Sequence, residues 1–161
     1  MKIEIPHPDE IDTVGTHLII HPWDTWNMDQ TLAYIIVPML EQLKETKHGA
    51  PFVDDKDVPK ELKSTSAPPK ENEWDTDENH FKRWDYVLDE MIWSFKQKVT
   101  DHWESQYYTD TGETKMVKEE DGNYRMVESG IDIDRKGLEA HQKRMSNGFR
   151  LFGKYYENLW D

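Results

Sequence analysis

The sequence predicts an α+β fold, with three main helices packed on a small antiparallel sheet formed by the N-terminal strands and a hairpin at 115–129. Three observations carry that expectation. Three stretches repeat large apolar residues at steps of three and four, two short N-terminal stretches have strand character, and Glu120-Asp121-Gly122-Asn123 offers turn chemistry between the runs KMVKE and NYRMVES. An all-α bundle with a peripheral hairpin is the alternative reading. At 161 residues the chain suits one domain, 1–161. Only 35% of it is hydrophobic, but seven Trp, seven Tyr and five Phe supply large buried area per residue.

In chain order, KIEI at 2–5 alternates polar and apolar residues, and THLIIHP at 16–22 reads as a second strand that Pro22 ends. Asn27 with Gln30 forms a cap pair before Leu32, Ile35, Ile36, Met39, Leu40 and Leu43, so the first helix runs from about 28 to 47. Pro38 removes one donor inside that helix and predicts a kink near Tyr34, and Gly49 is placed to end it. Residues 50–74 are rich in Pro, Lys, Asp and Glu without sustained periodicity beyond one turn near Pro59–Leu62. They read as a long surface loop, either a binding arm or a tether, that Phe52, Val53 and Trp74 could pin.

The most complete apolar pattern lies between Asp75 and Val99. Phe81, Trp84, Leu88, Met91, Ile92, Phe95 and Val99 gather on one stripe, with Asp75 and Glu78 as a capping box. Tyr86 and Trp93 stand on the opposite side and require a cover, which is either a second layer of the same domain or a partner or oligomer face. DHWESQYY adds a turn or two of helix, and Thr109–Glu113 turns the chain. The last helical stripe runs from Asp134 to Trp160 through Leu138, His141, Met145, Phe149, Phe152, Tyr156 and Leu159. Gly148 and Gly153 flank it and predict close packing or a break.

Charge and composition narrow the function. The net charge of −13 disfavours direct nucleic-acid binding. Residues 54–90 hold twelve acidic against six basic side chains, and 135–161 hold three against six, so the last helix is expected to satisfy acidic neighbours within the fold. With no cysteine there is no disulfide framework and no thiol nucleophile, which suits a reducing compartment. No apolar run approaches the length of a membrane span, so a soluble, cytoplasmic protein is expected.

No catalytic motif stands out. Gly-x-Ser-x-Gly, Walker, Gly-x-Gly-x-x-Gly and His-Glu-x-x-His patterns are all missing, and the reading leans away from an enzyme, with no catalytic residue or cofactor assigned. His17 and His21 are about 13 Å apart on a straight strand, too far for one metal ion. Glu45-x-x-His48 and Asp77-x-x-His80 have di-metal spacing but fall at helix ends, and no metal site is assigned. The densest unusual cluster is His21, Trp23, Asp24 and Trp26 beside a helix start, with His80, Arg83 and Trp84 as candidates to complete a pocket for a planar, nucleotide-like ligand. Against it stands the plainer reading, in which the indoles plug a core edge and Asp24 satisfies local backbone donors.

The runs HPWDTWNMDQTLA, QLKETKHGAPFVDD, APPKENEWDTDENHFKRWDYVLDEMIW and SNGFRLFGKYYENLWD together resemble a family of uncharacterised proteins of tailed bacteriophages, especially T4-like phages of marine bacteria. The resemblance extends from about residue 17 to the end, and is weaker in the first sixteen residues and near 115–130. It implies a viral protein made in the cytoplasm of an infected bacterium and transfers no catalytic residue. The leading functional expectation is therefore a non-catalytic accessory protein that binds a host or phage protein through its acidic surface or exposed aromatics. A small-ligand-binding or sequestering protein or metal-dependent enzyme, and a virion or assembly component, are the alternatives. Homo-oligomerisation is compatible with each.

Overall fold

The computed structural model describes residues 2–4, 17–112, 115–128 and 130–160. Ile5 and Thr16, the connection between them, Glu113 and Ser129 lie outside the described residues. The class is α+β, with helices α1 (Met28–Thr46), α2 (His80–Val99) and α3 (Arg135–Lys154). The described strands do not form one sheet. They pair as three two-stranded antiparallel ribbons: β1 (Lys2–Glu4) with β2 (His17–Ile19), β3 (Tyr108–Asp110) with β6 (Ile131–Ile133), and β4 (Lys115–Lys118) with β5 (Tyr124–Glu128). None of the described helices is long and apolar enough to cross a membrane.

The helices pack on one another, and α2 lies between the other two because two of its faces are apolar. Ala33, Val37 and Leu40 of α1 meet Trp84, Val87, Leu88, Met91, Ile92 and Phe95 of α2, and Leu151 and Tyr155 complete the same core from the other side. Phe81, expected in that core, is exposed in the first turn of α2. The start of α2 also differs from expectation. Asn79 occupies the cap position, and Asp77 rather than Asp75 holds the entry, accepting the Asn79 backbone N–H at 3.0 Å. Asp75 is instead tied to Asn72 at 2.9 Å in the preceding turn.

The crossing of α2 and α3 depends on Gly148. A Cβ there would meet the Glu90 carbonyl oxygen at 2.5 Å and collide with the Ser94 hydroxyl, so two backbones approach where only hydrogen fits. A Cβ on Gly153 would meet nothing within 4 Å among the described residues, and α3 continues through both glycines. Asp134 caps α3 by accepting the Gly137 N–H at 2.9 Å. The basic residues of α3 neutralise acidic neighbours: Arg144 grips Glu90 at 2.7 and 3.0 Å, Arg150 reaches Asp57 at 2.7 Å, and Lys154 pairs with both Asp54 and Asp57.

α1 continues through Pro38, and the carbonyl that loses its donor belongs to exposed Tyr34, where solvent can take it. Asn27 precedes the helix without a side-chain cap bond. DHWESQYY supplies its turn of helix as a 3-10 helix at Trp103–Tyr107, and the strands β3 and β6 that follow and pair, three residues each, were not anticipated. In the 115–128 ribbon Gly122 takes φ +86°, which the turn requires of a glycine, and its N–H reaches Glu119 O at 3.0 Å.

Candidate functional site

The segment from Gly49 to Asn79 contains only three 3-10 turns, at Asp55–Asp57, Lys60–Leu62 and Ser64–Ser66, yet it is firmly attached. Val53 and Val58 enter the core. Between them Asp57 is buried, with a side chain only 1% exposed, and receives bonds from Arg150, Lys154 and the Tyr155 hydroxyl, the last at 2.8 Å. Burial pushes the Asp57 carboxyl up, but the bonds from Lys154, Tyr155 and Arg150 outweigh it and hold the group below 3.8. Burial would likewise lower the Lys154 ammonium, and Asp54 and Asp57 instead raise it. The Tyr155 oxygen also accepts the Asp54 N–H at 3.1 Å, so one phenol ties both ends of that turn.

A second anchor sits at the helix end. Arg83 is buried and holds Asp77 with two bonds of 2.8 and 2.7 Å while donating to Leu62 O at 3.2 Å. The Arg83 guanidinium beside Asp77 holds that carboxyl below its ordinary value. His80 Nε2 lies 3.0 Å from Ala50 O, and the Asn79 amide donates to Glu61 O at 3.2 Å. Asp55 accepts both the Ser64 N–H at 2.8 Å and its hydroxyl at 2.6 Å. Each contact joins parts of the segment to one another or to α2 and α3, and replaces hydrogen bonds that regular structure would have supplied.

These anchors frame a cleft of about 1040 Å³. His80 and Arg83 lie along it, Pro68 and Pro69 form part of one wall, and Phe52 and Trp74 line it while 86% and 94% exposed. The Phe52 ring meets His80 edge-on at 5.3 Å. Phe52 and Trp74 therefore do not pin the segment as expected; Val53, Val58 and Asp57 do. Among the described residues the cleft carries five carboxylates, Asp54, Asp55, Glu73, Asp75 and Asp77, against the two cations Lys70 and Arg83.

The sequence-predicted ligand set is divided by the fold. Trp84 is a core residue, 1% exposed, with its ring edge-on to Tyr155 at 5.9 Å. His80 and Arg83 are anchors along the cleft, and neither Trp23 nor Trp26 lines it. Those two indoles are 77% and 78% exposed and lean against each other at 5.9 Å. Asp24 accepts the His21 backbone N–H at 2.8 Å, which lowers its carboxyl pKa; this is the local role that the plainer reading gave it.

Tyr86 and Trp93 find their cover inside the chain. The Arg144 guanidinium of α3 lies 3.9 Å over the Trp93 ring, and His141 lies 4.8 Å away. Trp103 stacks on His141 at 4.3 Å, and the Tyr107 hydroxyl meets its Nδ1 at 2.9 Å. Burial lowers the His141 pKa, and Arg144 adds to it. Tyr86 and Trp93, for which the sequence offers either a second layer of the domain or a partner face as cover, are half-buried against the core and α3.

Among the described residues, no three His, Asp or Glu side chains converge as a metal site. Asp77 and His80, one of the two di-metal spacings, are committed to Arg83 and Ala50 instead. Comparison with protein-family models, curated proteins and solved structures finds no match for this chain.

Proposed function

We propose that this is a non-catalytic binding protein whose cleft between residues 52 and 83 takes an extended, basic segment of a partner protein. The observation that carries the reading is the exposure of Phe52 and Trp74 on a segment that is otherwise anchored by buried polar groups. Bare aromatic rings on a fixed wall are poorly satisfied in water, and such rings commonly dominate binding energy when a partner covers them. The surplus of carboxylates around the cleft supplies the charge preference, and two prolines stiffen its wall. The resemblance to phage proteins adds the proposal that the partner is a host or phage protein of an infected bacterium.

A peptide library displayed against the full chain, counter-selected on the Trp74→Ala variant, tests this. Enriched peptides should be rich in Lys and Arg and should bind the variant about thirtyfold more weakly, the loss expected for truncating a dominant aromatic anchor. Enrichment without a basic bias, or peptides that bind both proteins equally, would defeat the reading.

A further inference from the structure

On a different surface, α1 carries more apolar area than the core uses. Ala33, Val37 and Leu40 point toward α2, whereas Leu32, Ile36, Met39 and Leu43 form a second stripe about 90° away around the helix. That stripe is one wall of an apolar groove of about 700 Å³, and Phe152, Tyr156 and Trp160 form the other. Among the described residues, no charged side chain lines it. Just before the helix, Trp23 and Trp26 project as an exposed pair.

The spacing of projection and groove is nearly symmetric. Met28 opens α1 four residues before Leu32, about 6 Å along the axis at 1.5 Å per residue, with Trp26 two residues beyond it, and Met39 lies seven residues after Leu32, about 10 Å along the axis. A two-fold axis crossing α1 near Leu32 therefore lays the Trp26 end of one helix beside the Met39 end of a second copy's helix, and the same operation returns the contact. Such self-complementarity is what an isologous interface requires.

We infer that the chain forms a two-fold dimer through antiparallel α1 helices, with Trp26 of each copy seated in the groove of the other. The area suffices. Trp23, Trp26, Tyr156 and Trp160 are each 63–78% exposed, and aromatic side chains of roughly 150–250 Å² leave on the order of 550 Å² among them. Met28, Leu32 and Met39, 43–60% exposed, bring the patch toward the roughly 800 Å² per partner of a standard interface. Two copies of net charge −13 repel at long range, so association across an uncharged stripe should tighten as salt rises from about 0.05 to 0.5 M.

Sedimentation equilibrium of the full chain should give a dimer. Trp26→Ser, at an exposed position outside the core, should weaken dimerisation about tenfold or more while leaving the circular-dichroism spectrum unchanged. Because the chain has no cysteine, Leu32→Cys introduces a single thiol near the axis, and mild oxidation should link two copies, as a disulfide needs Cα atoms within about 7 Å. Lys118→Cys, on the β4–β5 ribbon, should not link. A monomeric wild-type chain, a dimer that Trp26→Ser leaves as tight, or linkage at residue 118 as fast as at residue 32 would each overturn the inference.

Discussion

Residues 50–79 contain no α-helix and no strand, while β4 and β5 form a regular hydrogen-bonded ribbon, yet the irregular segment is the one joined to the rest of the molecule. Val53, Asp57, Val58, Asn79 and the partners of Arg83 are buried or bonded across long sequence separations. In the ribbon, by contrast, the described side chains from Lys115 to Met126 are all exposed. Backbone regularity and tertiary anchoring are separate properties. A ladder satisfies the inward-facing N–H and C=O groups of the two strands and water can take the outward-facing ones, whereas a segment without a ladder that packs on the core must find partners for its polar groups elsewhere. In the 50–79 segment those partners include His80 and Arg83 of α2 and the Tyr155 hydroxyl just past α3, beside Asp55 and Asn79 of the segment itself, which fixes the cleft walls to the core.

The largest expected effect breaks that anchoring at Asp57. Asp57→Ala removes the shared acceptor of Arg150, Lys154 and Tyr155. Breaking a buried pair costs about 3–5 kcal/mol, and the half-exposed Arg150 can rehydrate, so a loss of about 3 kcal/mol is expected in chemical denaturation. Hydrogen exchange should lose protection across 53–58 before α2. Unchanged protection there would mean that Val53 and Val58 alone hold the segment.

A smaller effect follows from acid. Asp57 and Asp77 both have carboxyl pKa values held below 3.8 in the folded chain, so the stability they contribute is present above that value and is lost as pH falls through their lowered folded values. Lys154 is shifted up, so its contribution is complete below its ordinary value of 10.5 and is lost only in strong alkali. Between those limits the anchoring should be flat with pH. A protonated carboxyl can still hydrogen-bond to Tyr155, which makes acid milder than Asp57→Ala. Exchange rates corrected for intrinsic pH dependence should show the 50–79 segment opening below about pH 4. In Asp57→Asn that dependence should shrink to the part due to Asp77 and to Asp54 and Asp55, whose carboxyls are also lowered by their bonds to Lys154 and Ser64.

The same contrast explains what the sequence could reveal. α1, from Met28 to Thr46, was legible almost to the residue because its apolar period is a local pattern, even though Asn27 makes no side-chain cap bond. α2 was legible in its middle, but its start shifted because Asp77 serves Arg83 and the Asn79 N–H, a choice that depends on where Leu62 lies. The basic face of α3 announced acidic neighbours without naming Asp57, which is 93 residues from Arg150. The anchors of the cleft were hidden for the same reason. His80 and Arg83 could be singled out as unusual, but only the fold shows that they face Ala50 and Asp77 rather than Trp23 and Trp26. Trp74 sits among charged residues, and nothing near it in sequence tells a pinned indole from a bare one.

The smallest expected effect lies in the ribbon and sharpens the contrast from the other side. Arg125 bonds Glu119 at 2.7 Å, but both side chains are largely in water, where such a pair is worth between nothing and about 1 kcal/mol. Met116 and Met126 are cross-strand partners on an exposed face, so shortening either removes contact area within the ribbon and opens no cavity in the core. Arg125→Ala and Met126→Ser should therefore each change global stability by less than about 0.5 kcal/mol. They should nevertheless raise exchange at the β4–β5 hydrogen bonds, because the ribbon opens locally, without the core, and its protection reports only its own ladder. A global loss as large as that of Asp57→Ala would show that the ribbon is coupled to the helices, and the separation between regularity and anchoring would then fail for this molecule.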